Sequence, residues 1–180
     1  MSKAVVRIAG QSLADRGVDL LRAGGAAPVV VVTGAASAEP LGALIVHNPD
    51  WRSGMGSSLA AGLTALPDTV AAAVIALADQ PLVGPESVRR LIAAYHEGAS
   101  VAVAAYDGRP RNPVLIARPY WPEVIETSVG DTGARAFLRS RRELVTLIEC
   151  GDTGSPDDID TPADLERVTR AVEQRGAHQA

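Results

Sequence analysis

An apolar run, Ala71-Ala-Ala-Val-Ile-Ala-Leu-Ala78, breaks off abruptly at Asp79-Gln80-Pro81-Leu82. Such a run leaves no polar face for water, so it suits a strand buried on both sides, as in a parallel sheet covered by helices. Asp79 then emerges at the carboxyl end of that strand, the edge where open α/β sheets receive their ligands. Pro81 has no N–H and ends the pairing. A carboxylate at that rim can hold Mg2+ against the phosphates of a nucleotide. It can equally begin a surface loop, and the run alone leaves both readings open. A second run, Pro28-Val-Val-Val-Val-Thr33, is β-branched and predicts another buried strand.

Strand and helix signals alternate around these runs. Ser12–Ala23 reads as a helix, with Ser12 as N-cap and Gly24 as its stop. Leu44–His47 reads as a short strand, and Ser53–Ser58 leads into a helix over Leu59–Leu66. A helix follows from Pro85 to His96, with Pro85 suited to the first turn. Strands are expected at Val101–Tyr106 and Pro113–Ala117 around the turn Asp107-Gly108, and at Leu144–Glu149. Helices are expected at Pro122–Thr127, at Thr132–Arg139 and after Asp160-Thr161-Pro162. The pattern describes one α/β domain over residues 1–175, of βα units on a mixed sheet, with 176–180 as a disordered tail.

Bulk properties narrow the function. No apolar run approaches the ~20 residues that span a bilayer. No signal peptide opens the chain, which makes the cytoplasm the expected compartment. Cys150 is the only cysteine, so neither an internal disulfide nor a cysteine-rich zinc site is available. A net charge of −4 argues against general nucleic-acid affinity. Sixteen of the seventeen basic residues are arginine, and Lys3 is the single lysine.

Four segments carry chemistry. Asn48-Pro-Asp-Trp51-Arg-Ser-Gly54-Met-Gly56-Ser57-Ser58 offers close backbone approach, hydroxyls and helix N-terminal amides for a base or phosphate, or else an ordinary helix cap. Asp79 is the second. Arg109-Pro-Arg111-Asn112-Pro113, with Gly130-Asp131-Thr132-Gly133-Ala134-Arg135, supplies amide and guanidinium donors for an anionic acceptor. In Asp157-Asp158-Ile159-Asp160-Thr161-Pro162-Ala163-Asp164, Thr161 can cap the last helix while Asp160, just outside it, offers a second carboxylate to a metal. His47, His96 and His178 lack ligand spacing.

The ordered set Asn48-Pro-Asp-Trp51…Gly54-Met-Gly-Ser-Ser58, Ala78-Asp79-Gln-Pro-Leu82, Asn112-Pro-Val-Leu115, Gly130-Asp-Thr-Gly-Ala-Arg135 and Asp158-Ile-Asp-Thr-Pro162 resembles the MobA-like NTP transferase family. Its molybdenum-cofactor cytidylyltransferase branch (MocA) is the nearest in pattern. The resemblance implies a Rossmann-like, GT-A-like nucleotidyltransferase fold, a three-layer sandwich with a mostly parallel mixed sheet. It implies Mg2+-dependent transfer of a cytidylyl group from CTP to the terminal phosphate of molybdopterin, releasing pyrophosphate. On that basis Gly54, Ser57 and Ser58 border the nucleobase, Asp79 and Asp160 hold Mg2+, and Asn112, Asp131 and Arg135 face the acceptor.

The family opens with a buried strand and a loop of the form Leu-Ala-Ala-Gly-x-Ser-x-Arg-x-Gly-x-x-Lys that holds phosphates. Residues 1–10 resemble only the tail of that signature, with Lys3 as its closing lysine and a catalytic contact to the phosphates; a solvated terminal lysine is the other reading. The domain therefore reads as incomplete at its N-terminus, lacking its first strand. A start assigned downstream of the true one, a truncated relative without activity, or a substitute segment would each account for this. The 180-residue form is expected to be poorly stable and to aggregate. Three further readings accompany the leading one: a non-catalytic protein that holds the pterin cofactor for a molybdoenzyme, a guanylyltransferase using GTP, and a nicotine-blue-type oxidoreductase. Against the last, the chain has no Gly-x-Gly-x-x-Gly fingerprint.

Overall fold

A computed structural model describes residues 6–35, 38 and 40–177. The elements in chain order are β1 (Arg7–Ile8), β2 (Gln11–Ser12), α1 (Leu13–Ala23), β3 (Val30–Thr33), β4 (Leu44–His47), α2 (Met55–Ala65) and β5 (Ala72–Ile75). There follow α3 (Pro85–His96), β6 (Val101–Tyr106), β7 (Arg109–Ala117), α4 (Trp121–Thr127), α5 (Arg135–Ser140), β8 (Val145–Glu149) and α6 (Pro162–Ala177). The last three residues of the expected tail lie outside the described residues. Among the described residues, no helix is long and apolar enough to cross a membrane.

The central sheet has the order β5-β7-β6-β8. β6 and β8 are parallel, and β7 runs antiparallel to both β5 and β6. β6 is buried along its whole length, and its alternation sorts two layers. Val101 and Val103 face a cluster with Leu63 of α2, Trp121 and Val124 of α4 and Phe137 of α5. Ala102, Ala104 and Tyr106 face Leu91 and Ala94 of α3. Helices cover both faces, so the domain is a three-layer α/β sandwich. The small alanines on the α3 side let that helix sit close to the sheet. β3 and β4 form a separate parallel ladder, Val30↔Leu44 to Thr33↔His47. It is held to the rest by α2, which packs on β3, and by α1, which packs on α3.

Several expected boundaries move, among them the start of β7, at Arg109 rather than Pro113. β5 ends at Ile75 rather than at Ala78. Its register with β7 pairs Ile75 with Val114, so the next partner in line is Pro113, which has no N–H to continue the ladder. α2 begins at Met55, not Leu59, because the Asp131 carboxylate accepts the Met55 N–H at 3.2 Å and caps the helix from a distant loop. The helix expected over Thr132–Arg139 is split into a 3-10 turn at Gly130–Thr132 and α5, since Gly133 has φ 50° and ψ −137°. α1 and α3 keep the caps expected of them, Ser12 accepting the Asp15 N–H at 3.1 Å and Pro85 opening α3.

Candidate active site at the carboxyl rim of the sheet

Two loops meet at the end of β5. The Ile159 N–H donates to the Asp79 carbonyl at 3.0 Å, and the Ser155 N–H to the Leu82 carbonyl at 3.1 Å. Gln80, 5% exposed, donates through Nε2 to the Pro156 carbonyl at 3.1 Å and to Asp158 Oδ1 at 2.8 Å. Ile159 is buried with Ile8, Leu13, Leu82 and Val168. Asp79 and Asp160 therefore stand on segments stitched together next to each other, Asp79 half-buried and Asp160 exposed.

The neighbouring acids have other work. Asp157 pairs with Arg167 at 2.9 Å. Asp164 accepts from the Thr161 hydroxyl at 2.7 Å and the Thr161 N–H at 3.0 Å, while its own N–H donates to Thr161 Oγ1 at 3.2 Å, a reciprocal cap of α6. The Thr161 hydroxyl, the Thr161 amide and Arg167 pull the Asp164 carboxyl down to about 2. The Asp160 N–H also donates to Asp164 Oδ2, at 3.4 Å. No group of three or more His, Cys, Asp or Glu residues able to hold a metal occurs among the described residues.

Across the rim, Asn48 organises the start of α2. Only 4% exposed, it donates through Nδ2 to Ser57 Oγ at 2.8 Å and Ser58 Oγ at 3.1 Å, and its Oδ1 accepts the Asp50 N–H at 3.0 Å. Gly54, at φ 112°, lies against the Gly130 backbone, and Gly56 against the Ser128 carbonyl; a Cβ at either position would collide with that backbone. These glycines bring the first turn of α2 against the segment that carries Asp131 and Thr132 and leads into α5.

A cavity of ≈ 550 Å³ has Ser58, Asn112 and Arg135 in its lining, together with Thr33, Leu77 and Ala78. Three residues singled out from the sequence thus share one cavity. Asp79 and Asp160 stand on the adjoining loops. Gly54 and Asp131 meet at the α2 cap, and Ser57 bonds back to Asp50 and Gly54 carbonyls at 3.0 and 2.9 Å. Lys3 lies outside the described residues. Sequence reasoning passed over Asn48 and Gln80 as agents in their own right. The available signal was a single amide side chain beside each motif's chemistry, Asn48 ahead of the serines and Gln80 after the aspartate.

A sequence profile described as the MobA-like NTP transferase domain matches residues 1–145. The nicotine blue oxidoreductase of Paenarthrobacter nicotinovorans is 36% identical over 180 aligned residues, covering 92% of this chain and 87% of that protein. A homologue of the Mycobacterium tuberculosis protein Rv0371c, from Mycobacterium sp. strain JC1, superposes with a TM-score of 0.82 at 28% identity, over 97% of this chain and 89% of that one. The structure of Rv0371c from M. tuberculosis H37Rv in complex with manganese superposes with a TM-score of 0.76 at 23% identity, over 93% and 91% of the two chains.

Proposed function

The chain belongs to the MobA-like NTP transferase family, and from that premise we propose that it transfers a cytidylyl group from CTP to the terminal phosphate of a molybdopterin-type acceptor. The observation that carries the reading is the meeting of Ser58, Asn112 and Arg135 in one cavity, beside the stitched loops of Asp79 and Asp160. Ser58 and the first turn of α2 border the nucleobase. Asn48 fixes the Ser57 and Ser58 hydroxyls, and Gly54 and Asp131 hold the helix start in place. Asn112 and Arg135 bind the acceptor phosphate, whose oxygen attacks the α-phosphorus of CTP as the bond to the bridging oxygen breaks and pyrophosphate leaves. Lys3 contacts the departing phosphates.

Asp79 and Asp160 fit a hard divalent cation by their chemistry: two carboxylates, with the other ligand positions left to triphosphate oxygens and water, as Mg2+ prefers. When bound, that ion neutralises phosphate charge. The manganese complex of Rv0371c supports a divalent ion in this fold. The proposal is tested by release of pyrophosphate from CTP with acceptor and Mg2+. Asp79→Ala should lower the rate by about 100-fold or more, the scale of losing one preorganised charge-stabilising group. Full activity in that variant refutes the assignment. GTP in place of CTP tests the donor, and pterin binding without nucleotide binding identifies a carrier instead.

A second reading is favoured by the 36% identity to the nicotine blue oxidoreductase. Its test is oxidation of a reduced nicotinamide dinucleotide on addition of nicotine blue; turnover there, with none from CTP, replaces the transferase reading.

A further inference from the structure

The two loops that carry Asp79 and Asp160 run antiparallel along each other. Gly84 lies against the Thr153 carbonyl and Gly154 against the Leu82 carbonyl, so close that a Cβ on either glycine would collide. The Leu82 carbonyl accepts the Ser155 N–H at 3.1 Å, and the Asp79 carbonyl accepts the Ile159 N–H at 3.0 Å. Between those two backbone bonds lie Pro156, which has no N–H, Asp157 and Asp158. The Gln80 side chain spans that interval, Nε2 donating to the Pro156 carbonyl at 3.1 Å and to Asp158 Oδ1 at 2.8 Å. Two acceptors facing one nitrogen settle which end of the amide meets the loop. The other end, Oε1, is buried and has no hydrogen-bond partner among the described residues. A buried acceptor without a partner costs stability. An apolar side chain of the same length would pack here without that cost, so stability alone does not account for an amide. What the amide does is hold the chain just ahead of Asp160. On the far side the Asp164 carboxylate accepts the Asp160 N–H at 3.4 Å.

We propose that Gln80 is a positioning residue for the divalent ion, setting the Asp160 segment at the distance from Asp79 at which both carboxylates reach one cation. The inference rests on the assignment of Asp79 and Asp160 to that ion. Mg2+ demands near-octahedral geometry and tolerates little error in the spacing of its carboxylates. Two carboxylates on loops free to part would have to be ordered by the ion itself, and that ordering is subtracted from its affinity. Gln80 removes this cost in advance. Its two bonds, to acceptors two residues apart, fix both the advance and the rotation of the segment that leads into Asp160. Side chains that orient the carboxylates of a metal site in this way typically change its affinity by about 10–100-fold.

The test is Mn2+ binding to the 180-residue chain, read from the electron paramagnetic resonance of the free ion, with and without CTP and well below the melting temperature. Gln80→Met keeps the length and the apolar packing, and removes both donor bonds together with the orphan oxygen. Its melting temperature should change little, while its Mn2+ affinity should fall about 10–100-fold. A side chain that served only to stabilise the fold would leave the affinity of the folded chain untouched. A folded Gln80→Met chain that binds Mn2+ as the parent does therefore overturns the proposal. A second pair of variants works from the exposed end of the same bond. Asp158→Asn keeps an oxygen for the Gln80 amide and Asp158→Ala keeps none, while both remove the same charge. The asparagine variant should bind Mn2+ at least about threefold more tightly than the alanine variant; equal affinities overturn the proposal. Mn2+ binding that is the same in the parent and in Asp79→Ala removes the ion assignment itself, and the role of Gln80 with it. Binding lost in Asp79→Ala but intact in Gln80→Met removes the role of Gln80 alone.

Discussion

Replacing Asn48 by alanine tests whether the first turn of α2 is held by one buried amide. The side chain makes three hydrogen bonds, to Ser57 Oγ, to Ser58 Oγ and from the Asp50 N–H, and it is 4% exposed while both serines are half-buried. Each such bond contributes about 1 kcal/mol net, so Asn48→Ala should cost about 3 kcal/mol. For a domain of this length that corresponds to a fall of about 6–12 °C in melting temperature. Asn48→Asp separates hydrogen bonding from volume. A carboxylate still accepts the Asp50 N–H and can accept from the Ser58 hydroxyl, whereas Ser57, with a single O–H, must turn from the Asp50 and Gly54 carbonyls to donate to it. It should recover most of the loss at neutral pH. Asn48→Leu fills the space and satisfies nothing, so it should be as damaging as alanine. Calorimetry on the three variants gives the stabilities, and titration with CTP and Mg2+ gives the nucleotide affinity, expected to fall in alanine and leucine and to recover in aspartate. An Asn48→Ala protein melting within about 1 °C of the parent refutes the argument. So does an aspartate variant no better than leucine.

The cap of α6 predicts an acid-sensitive element. Asp164 is held at about 2 when folded, below its ordinary 3.8, so its contribution is present above pH 4 and is lost as pH falls toward 2. Helicity at the start of α6, followed by NMR, should melt across that window in the parent, and Asp164→Asn should remove the pH step. Gly54→Ala forces a side chain onto φ 112° and into the Gly130 backbone, so it should destabilise by about 1–3 kcal/mol and loosen the Asp131–Met55 contact. A melting temperature unchanged in Gly54→Ala means that the two loops do not approach as described.

Much of the fold was legible because its signals are local. α1 announces both ends through Ser12 and Gly24, α3 opens on Pro85, and β3 and β6 are apolar runs that read as strands, although only β6 is buried throughout. The boundaries that moved depend on partners far along the chain. Nothing near Met55 indicates a helix start, because its cap is Asp131. Nothing near Ile75 indicates a strand end, because the missing donor is Pro113 on the neighbouring strand. The candidate site divides in the same way. Asp79 and Ser58 stand out from their own flanks, whereas the stitching of Asp79 to Ile159 and of Gln80 to Asp158 joins segments that sequence separates widely. Gly54 and Gly56 read as room for a ligand, and in the fold they give room to the backbone of Gly130 and Ser128.

The split in the sheet bears directly on the chemistry. Asn48, Ser57 and Ser58 belong with the β3–β4 ladder and α2, while Asp79 and Asn112 belong with the central sheet. No ladder hydrogen bonds link the two halves among the described residues; packing of α1 on α3 and of α2 on α4 does, with single hydrogen bonds such as Met55 N–H to Asp131. Packing of that kind is non-directional and tolerates small displacements at little cost, whereas group transfer depends on placing reacting atoms to within about 1 Å. Ladder pairing fixes register by whole residues and leaves no such freedom. The relative placement of Ser58 and Asn112, which line one cavity from opposite halves, therefore depends on how firmly those helix contacts hold.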